Sequence, residues 1–261
     1  NNSNYNFLIP GFVLTIFWPL IASQRWSYTL RGFDLKVSYL RILRSIMISF
    51  STNIFAPAKL GDFLKMFVMG KKLKKIDLAS AVISERIGDL IVLLILSIIG
   101  SMYIQNLLYI FLSTFSFLSL ILSIFLIGNI AITNLNSNFK KIIYVASKST
   151  NSWLINFSKM KKALVFSLLI WFLACFQIYL FFYAFGINIS FFTILAIFPL
   201  TVLVTLIPIT PGGVGVREAS FMILFNPYVD LHTSIAVSLC YYICTTCITS
   251  GIGAIYIFFF K

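Results

Sequence analysis

The 261 residues are 60% hydrophobic and only 10% charged, with a mean hydropathy of +0.98; seven acidic residues cannot solvate a soluble globule of this length, so that class is excluded. The net charge of +13 would suggest nucleic acid in a soluble protein, but here the basic residues lie between apolar stretches. Anionic lipid headgroups are therefore the expected partners, and nucleic acid is not.

A helix crossing a bilayer needs about 20 apolar residues, and the chain divides accordingly. Residues 5–24 form a first span with Pro10 and Pro19 as kinks; the chain opens on Asn1 without a basic n-region or cleavage site, so no signal peptide is read and a helix upstream is left open. Residues 38–56 start amphipathic and turn apolar toward Pro57, and 60–70 read as a short return helix ending at Gly70. Residues 78–104 and 107–134 are full spans joined by a turn at Gln105-Asn106. The basic, amphipathic stretch 139–162 is expected to lie on an anionic leaflet. Span 163–185, a turn at Gly186-Ile187-Asn188, an apolar stretch 190–209, a short helix 216–226 and a last span 233–260 complete the chain.

The distribution of Lys and Arg sets the orientation. With the N-terminus outside, sixteen of the twenty basic residues fall on the cytoplasmic side, beginning at Arg25, and none in the outer loops, which hold Asp230 and His232. The expected fold is an all-α polytopic membrane protein forming one domain over 1–261. Its bundle contains two re-entrant, Pro/Gly-broken hairpins in halves of inverted topology, and its expected place is the cell membrane.

The breaks are Pro57-Ala58-Lys59-Leu60-Gly61-Asp62 and Pro211-Gly212-Gly213-Val214-Gly215-Val216-Arg217-Glu218, both of the form P-x-x-x-G with charge close behind. Unpaired backbone groups cost several kcal/mol in hydrocarbon, so a break at that depth is sheltered by protein or lines a wet cavity. A pair of them in corresponding halves points to a transporter's binding site. Lys59, Asp62, Lys65, Glu85, Arg86, Asp89, Arg217 and Glu218 are the ionisable groups assigned to membrane or near-membrane positions, four of each sign. Each costs about 2.5–3.5 kcal/mol at the bilayer centre unless partnered or functional. Glu85 and Asp89 share a helix face at i, i+4 with Arg86 beside them, and Gly88 allows close helix approach. That cluster reads either as part of a binding site or as an ion-pair lattice that pins helices together.

At the second break, Gly212, Gly213 and Gly215 let backbone approach a ligand, and the following helix N-terminus favours an anion. Lys59 and Arg217 add full charges, Arg217 as a forked phosphate donor, with Asp62 and Glu218 holding the cations in place. The plainer reading of P-G-G-V-G is a tight turn. Cys240, Cys244 and Cys247 approach one helical face, but no His or carboxylate accompanies them, so neither metal nor cofactor is expected. Trp18, Trp26, Trp153 and Trp171 read as interfacial anchors.

Three landmarks, N-I-F-A-P-A-K-L-G-D-F-L-K at 53–65, S-E-R-I-G-D-L at 84–90 and I-T-P-G-G-V-G-V-R-E-A at 209–219, resemble the lysylphosphatidylglycerol synthase transmembrane family, also called flippase-like integral membrane proteins. The likeness runs over nearly the whole chain from about residue 10. Lys59 and Lys65 stand where the family commonly has Arg, and Asp62 where it has Glu. The resemblance implies movement of an anionic phospholipid or a polyprenyl-phosphate-linked glycan between leaflets, with Lys59, Gly61, Asp62, Lys65, Glu85, Arg86, Asp89, Gly212, Gly213, Gly215, Arg217 and Glu218 as substrate-binding residues. It does not imply the synthase activity of longer members, so an enzyme is not expected. The alternatives are a membrane anchor for a glycosyltransferase or other transferase, a homo-oligomer being possible in either case, and a headgroup transferase.

Overall fold

The first apolar stretch continues well beyond the expected boundary. In the computed structural model, which describes residues 4–55, 60–70, 73–128, 137–206, 210 and 213–259, a 3-10 turn at Tyr5–Phe7 runs into helix α1 (Leu8–Gly32). Pro19 sits inside α1, and Ser23 Oγ donates to the Pro19 carbonyl at 2.7 Å. Arg25 is thus not a cytoplasmic loop residue, as the charge count had it, but a buried side chain seven residues before the end of a helix. Trp26–Leu30 carries the helix past the charge, and Trp26 and Leu30 are fully buried.

Helix α2 (Tyr39–Asn53) packs against a 3-10 helix at Leu60–Val68. A Cβ on Gly61 would meet Asn53 Oδ1 at 2.5 Å, so this glycine serves close packing of the two pieces. Pro57, Lys59, Pro211 and Gly212 lie outside the described residues. Helix α3 (Lys75–Tyr103) spans ~44 Å at 1.5 Å per residue. Asn106 then accepts from the amides of Leu108 and Tyr109 and starts α4 (Leu107–Gly128). Only 11% of the most apolar window of α4 is buried, so its Phe111, Phe115 and Phe125 face outward as lipid-facing residues do.

Helix α5 (Ser137–Ile155) is not merely a surface segment. It lies along α3, where Trp153 Nε1 donates to the Ser84 carbonyl at 3.0 Å, Ser149 to that of Ser80 at 3.0 Å, and Lys148 pairs with Asp77 at 2.7 Å. Gly88 makes room for the Trp153 indole. The expected boundary at 162 moves to Asn156, whose backbone leaves helical geometry, and α6 (Phe157–Ala184) takes in Lys159, Lys161 and Lys162. Gly186, at φ 79°, turns the chain, and Ser190 caps α7 (Phe191–Thr205) by accepting from Phe192 N. Helix α8 (Val216–Phe225) follows the second break. The last span is α9 (Leu231–Tyr242), a π-helical turn at Ile243–Ile248 and α10 (Thr249–Phe259), capped by Asp230 accepting from Thr233 N at 2.9 Å.

All described elements are helical, and four are long and apolar enough to cross a membrane: Tyr5–Gly32, Leu107–Ile127, Phe157–Ala184 and Leu231–Phe259. The packing is reciprocal between the halves. Helix α1 packs on α6, while α3 packs on α7 and α10 packs on α2. In the last two pairs a Ser-x-x-Gly stands at the contact. Ser97 Oγ donates to the Ala196 carbonyl and Ser250 Oγ to that of Phe50, both at 2.7 Å, while Gly100 and Gly253 sit where a Cβ would strike the backbone of Ala196 and Met47.

Three of the four tryptophans are not the interfacial anchors expected from the sequence. Trp26, Trp153 and Trp171 are buried, because each fills a gap between helices rather than facing a headgroup layer.

Candidate functional site

Six ionisable side chains converge where α1, α2, the 3-10 helix, α3 and α6 meet. Arg25 Nε binds Glu85 Oε1 at 2.7 Å, and its Nη1 binds Asp89 Oδ1 at 2.5 Å. Lys65 pairs with the other oxygen of Glu85, and Arg86 bridges Asp62 to Asp89, the latter at 3.1 Å. Ser49 and Asn53 of α2 donate to Asp62, and Ser167 of α6 donates to Asp89 at 2.9 Å. Three cations face three carboxylates, so the lattice is neutral. That balance offsets the cost of burying side chains as deeply as Lys65 (1% exposed) and Glu85 (2%) in a low-dielectric interior. Lys65 Nζ also lies 4.1 Å from the centre of the Trp26 ring, which adds a cation–π contact.

The geometry of α3 produces this arrangement. Glu85 and Asp89, one turn apart, face α1 together, so one guanidinium on α1 spans both. Arg25 was absent from the sequence-derived candidates because a Lys/Arg at the end of a 20-residue span reads as a cytoplasmic flank. A usable signal exists in hindsight: Ala22, Arg25 and Thr29 fall on one helical face at spacings of three and four, and no charge follows Arg25 until Arg31.

Across the bundle, Arg217 enters from the first turn of α8 and is also buried, with its guanidinium carbon 5.8 Å from the Tyr241 ring and 5.1 Å from that of Tyr242. Glu218 reaches back to the Gly215 amide at 2.5 Å and lies 3.5 Å from Ser238 Oγ. The α8 N-terminus is therefore already capped by its own carboxylate. This corrects the expectation for the α8 N-terminus: the Gly215 amide is taken by Glu218 rather than left open.

One cavity joins the two groups. Its volume is about 100 Å³, enough for several waters. Arg25, Asp62, Arg86 and Asp89 line it from the first half, and Gly213, Arg217 and Tyr241 from the second. Trp18, Trp171, Phe198 and Phe221 supply apolar wall. The π-helical turn falls on this wall, with Thr245 and Thr246 lining the cavity; periodicity in the sequence gave no sign of it.

A family model described as the lysylphosphatidylglycerol synthase TM region matches residues 1–253. The chain belongs to this family. Two relatives from Methanothermobacter thermautotrophicus, each called a UPF0104 membrane protein, are similar to it. One is 25% identical over 272 residues, covering 88% of this chain and 78% of the relative; the other is 40% identical over 70 residues, covering 27% of this chain and 21% of the relative.

Within this member of the family, the candidate residues separate by position. Asp62, Arg86, Asp89, Gly213 and Arg217 line the shared cavity. Lys65 and Glu85 stand behind them in the lattice, and Glu218 acts at the helix terminus. Gly61 packs the first hairpin, and Gly215, at φ 84°, forms the N-cap turn of α8 with no neighbour near its Cβ position. Lys59 and Gly212 lie outside the described residues. Among the described residues no cluster of three metal-ligating side chains occurs.

Proposed function

We propose that this membrane protein moves lipids with an anionic headgroup between leaflets, the headgroup passing through the shared cavity while the acyl chains stay in the bilayer. The supporting observation is the cavity itself, which buries Arg217 opposite a neutral ion-pair lattice and is walled by both halves of the chain. A phosphate would be met by the Arg217 fork on one side and by the partly exposed Arg86 on the other. Because Arg86 already divides its donors between Asp62 and Asp89, it can turn toward an incoming anion without leaving either carboxylate stripped of other donors. The reciprocal contacts of α3 with α7 and of α10 with α2 support a pair of re-entrant hairpins related by inverted topology, a design suited to opening on alternate sides.

The test is leaflet exchange in proteoliposomes. Purified protein is reconstituted with acyl-labelled fluorescent phosphatidylglycerol, and the fraction quenched from outside by dithionite is followed in time. Exchange clearly faster than in protein-free vesicles is expected. A rate equal to the protein-free control would overturn the reading and favour a membrane anchor for a separately encoded transferase.

A further inference from the structure

The last span is apolar enough to cross the membrane from Leu231 to Phe259, and no proline or glycine interrupts it before Gly251, yet it is not one α-helix. Between α9 and α10 the backbone opens into a π turn at Ile243–Ile248. Such a turn holds one more residue than an α-helix of the same length, and it recurs mostly as a single turn at functional sites. Thr245 and Thr246 within it, and Thr249 just beyond, line the shared cavity, so one side of the turn has open space beside it.

The two ends of the span are held by different neighbours. On α9, Val237 and Tyr241 are buried in one core with Phe198 of α7 and Phe221 of α8, and the Tyr241 and Phe198 rings meet edge-on with centres 5.2 Å apart. On α10, Ser250 donates to the Phe50 carbonyl and Gly253 presses on Met47, both residues of α2. Any movement of α2 relative to α7 and α8 is therefore felt at residues 243–248. Helix α3 makes the matching Ser-x-x-Gly contact on α7 but runs unbroken from Lys75 to Tyr103. Of these two clamped spans, the last one carries the joint.

The threonines equip the turn to bend. Thr245 Oγ1 donates to the Tyr241 carbonyl and Thr249 Oγ1 to the Thr245 carbonyl, both at 2.8 Å. When a backbone amide is drawn away from either carbonyl, the hydroxyl remains as its donor, so no bare carbonyl is left in an apolar interior. We infer that the π turn is the joint about which the last span bends as the cavity opens and closes, α10 moving with α2 while α9 stays with α7 and α8 and α3 remains straight. This rests on the lipid-moving reading above and deepens it by naming the moving part.

Spin labels read the bend directly. On a background lacking the four native cysteines, one pair is placed at Leu239→Cys and Ile255→Cys, either side of the turn, and another at Ile76→Cys and Ile95→Cys along α3, all at exposed positions. In phosphatidylglycerol vesicles the first pair is expected to show two distances and the second pair one. Deleting position 247 removes the extra residue and lets the span close into a continuous α-helix with both flanks in register. The first pair should then show a single distance, and lipid exchange should fall to the protein-free rate with a melting temperature no lower than the parent's. A single distance across the turn in the parent, two distances along α3 as well, or parental exchange in a folded deletion protein would each overturn the inference. Two distances across the turn in a protein that moves no lipid would overturn the lipid-moving reading and leave the hinge standing. Should the deletion protein fail to fold, the comparison of the two label pairs in the parent decides by itself.

Discussion

Ser250 and Phe50, 200 residues apart in sequence, are joined by a 2.7 Å hydrogen bond from hydroxyl to carbonyl, and Gly253 one turn on presses against the backbone of Met47. Ser97 and Gly100 do the same to Ala196 in the other half. These contacts hold α3 against α7 and α10 against α2. The obstructing atoms at both glycines are backbone, which cannot swing aside. Gly100→Val and Gly253→Val are therefore each expected to cost about 1–3 kcal/mol or more by overpacking. Gly251→Ala, where nothing lies within 4 Å, serves as the neutral control. Thermal unfolding in detergent measures the difference, and a Gly253→Val protein as stable as the Gly251→Ala control would contradict the packing.

The second prediction concerns Arg25. Its removal leaves Glu85 and Asp89 short of a cation inside the bundle, so Arg25→Ala should destabilise by about 3–5 kcal/mol. Arg25→Gln combined with Asp89→Asn restores the charge balance and should recover much of that loss. Expression level and melting temperature of the two proteins give the comparison. If the single and double variants melt together near wild type, the lattice is not holding the helices.

Arg217 carries the transport prediction. Arg217→Lys keeps the charge and loses the forked geometry, so exchange should fall by about tenfold with stability near wild type. In Arg217→Gln with Glu218→Gln the second glutamine can still reach the Gly215 amide, so α8 keeps its cap while the charge disappears. Exchange in that protein should approach the vesicle background. Wild-type rates in both variants would make Arg217 a structural residue.

Orientation is tested by single cysteines on a background lacking Cys175, Cys240, Cys244 and Cys247. Cysteine at Lys148 is expected to be reached by an impermeant reagent only from the cytoplasmic side, and cysteine at His232 only from outside. The opposite pattern would invert the assignment.

Much of the site was legible because membrane chemistry narrows the choices. Glu85, Arg86 and Asp89 in an otherwise apolar helix have few ways to be stable, and partnership across the bundle was one of the two readings the sequence left open. The partners themselves were not legible. Asp62 holds Arg86 and accepts from Ser49 and Asn53, and Glu218 takes the Gly215 amide, because pairing depends on which helices are adjacent.

Composition and hydropathy by themselves determined that this chain is a helical membrane protein, and the order of its apolar and Pro/Gly-broken segments determined its elements to within a few residues at most ends. Those properties are local: backbone hydrogen bonds must close within each segment in hydrocarbon, whatever the segment touches. The tertiary structure alone decided that Arg25 belongs to the lattice, that three tryptophans are packed inside, and that the flanks of both breaks share one cavity. Each depends on contacts between helices distant in sequence, and no periodicity within a single segment encodes which faces will meet.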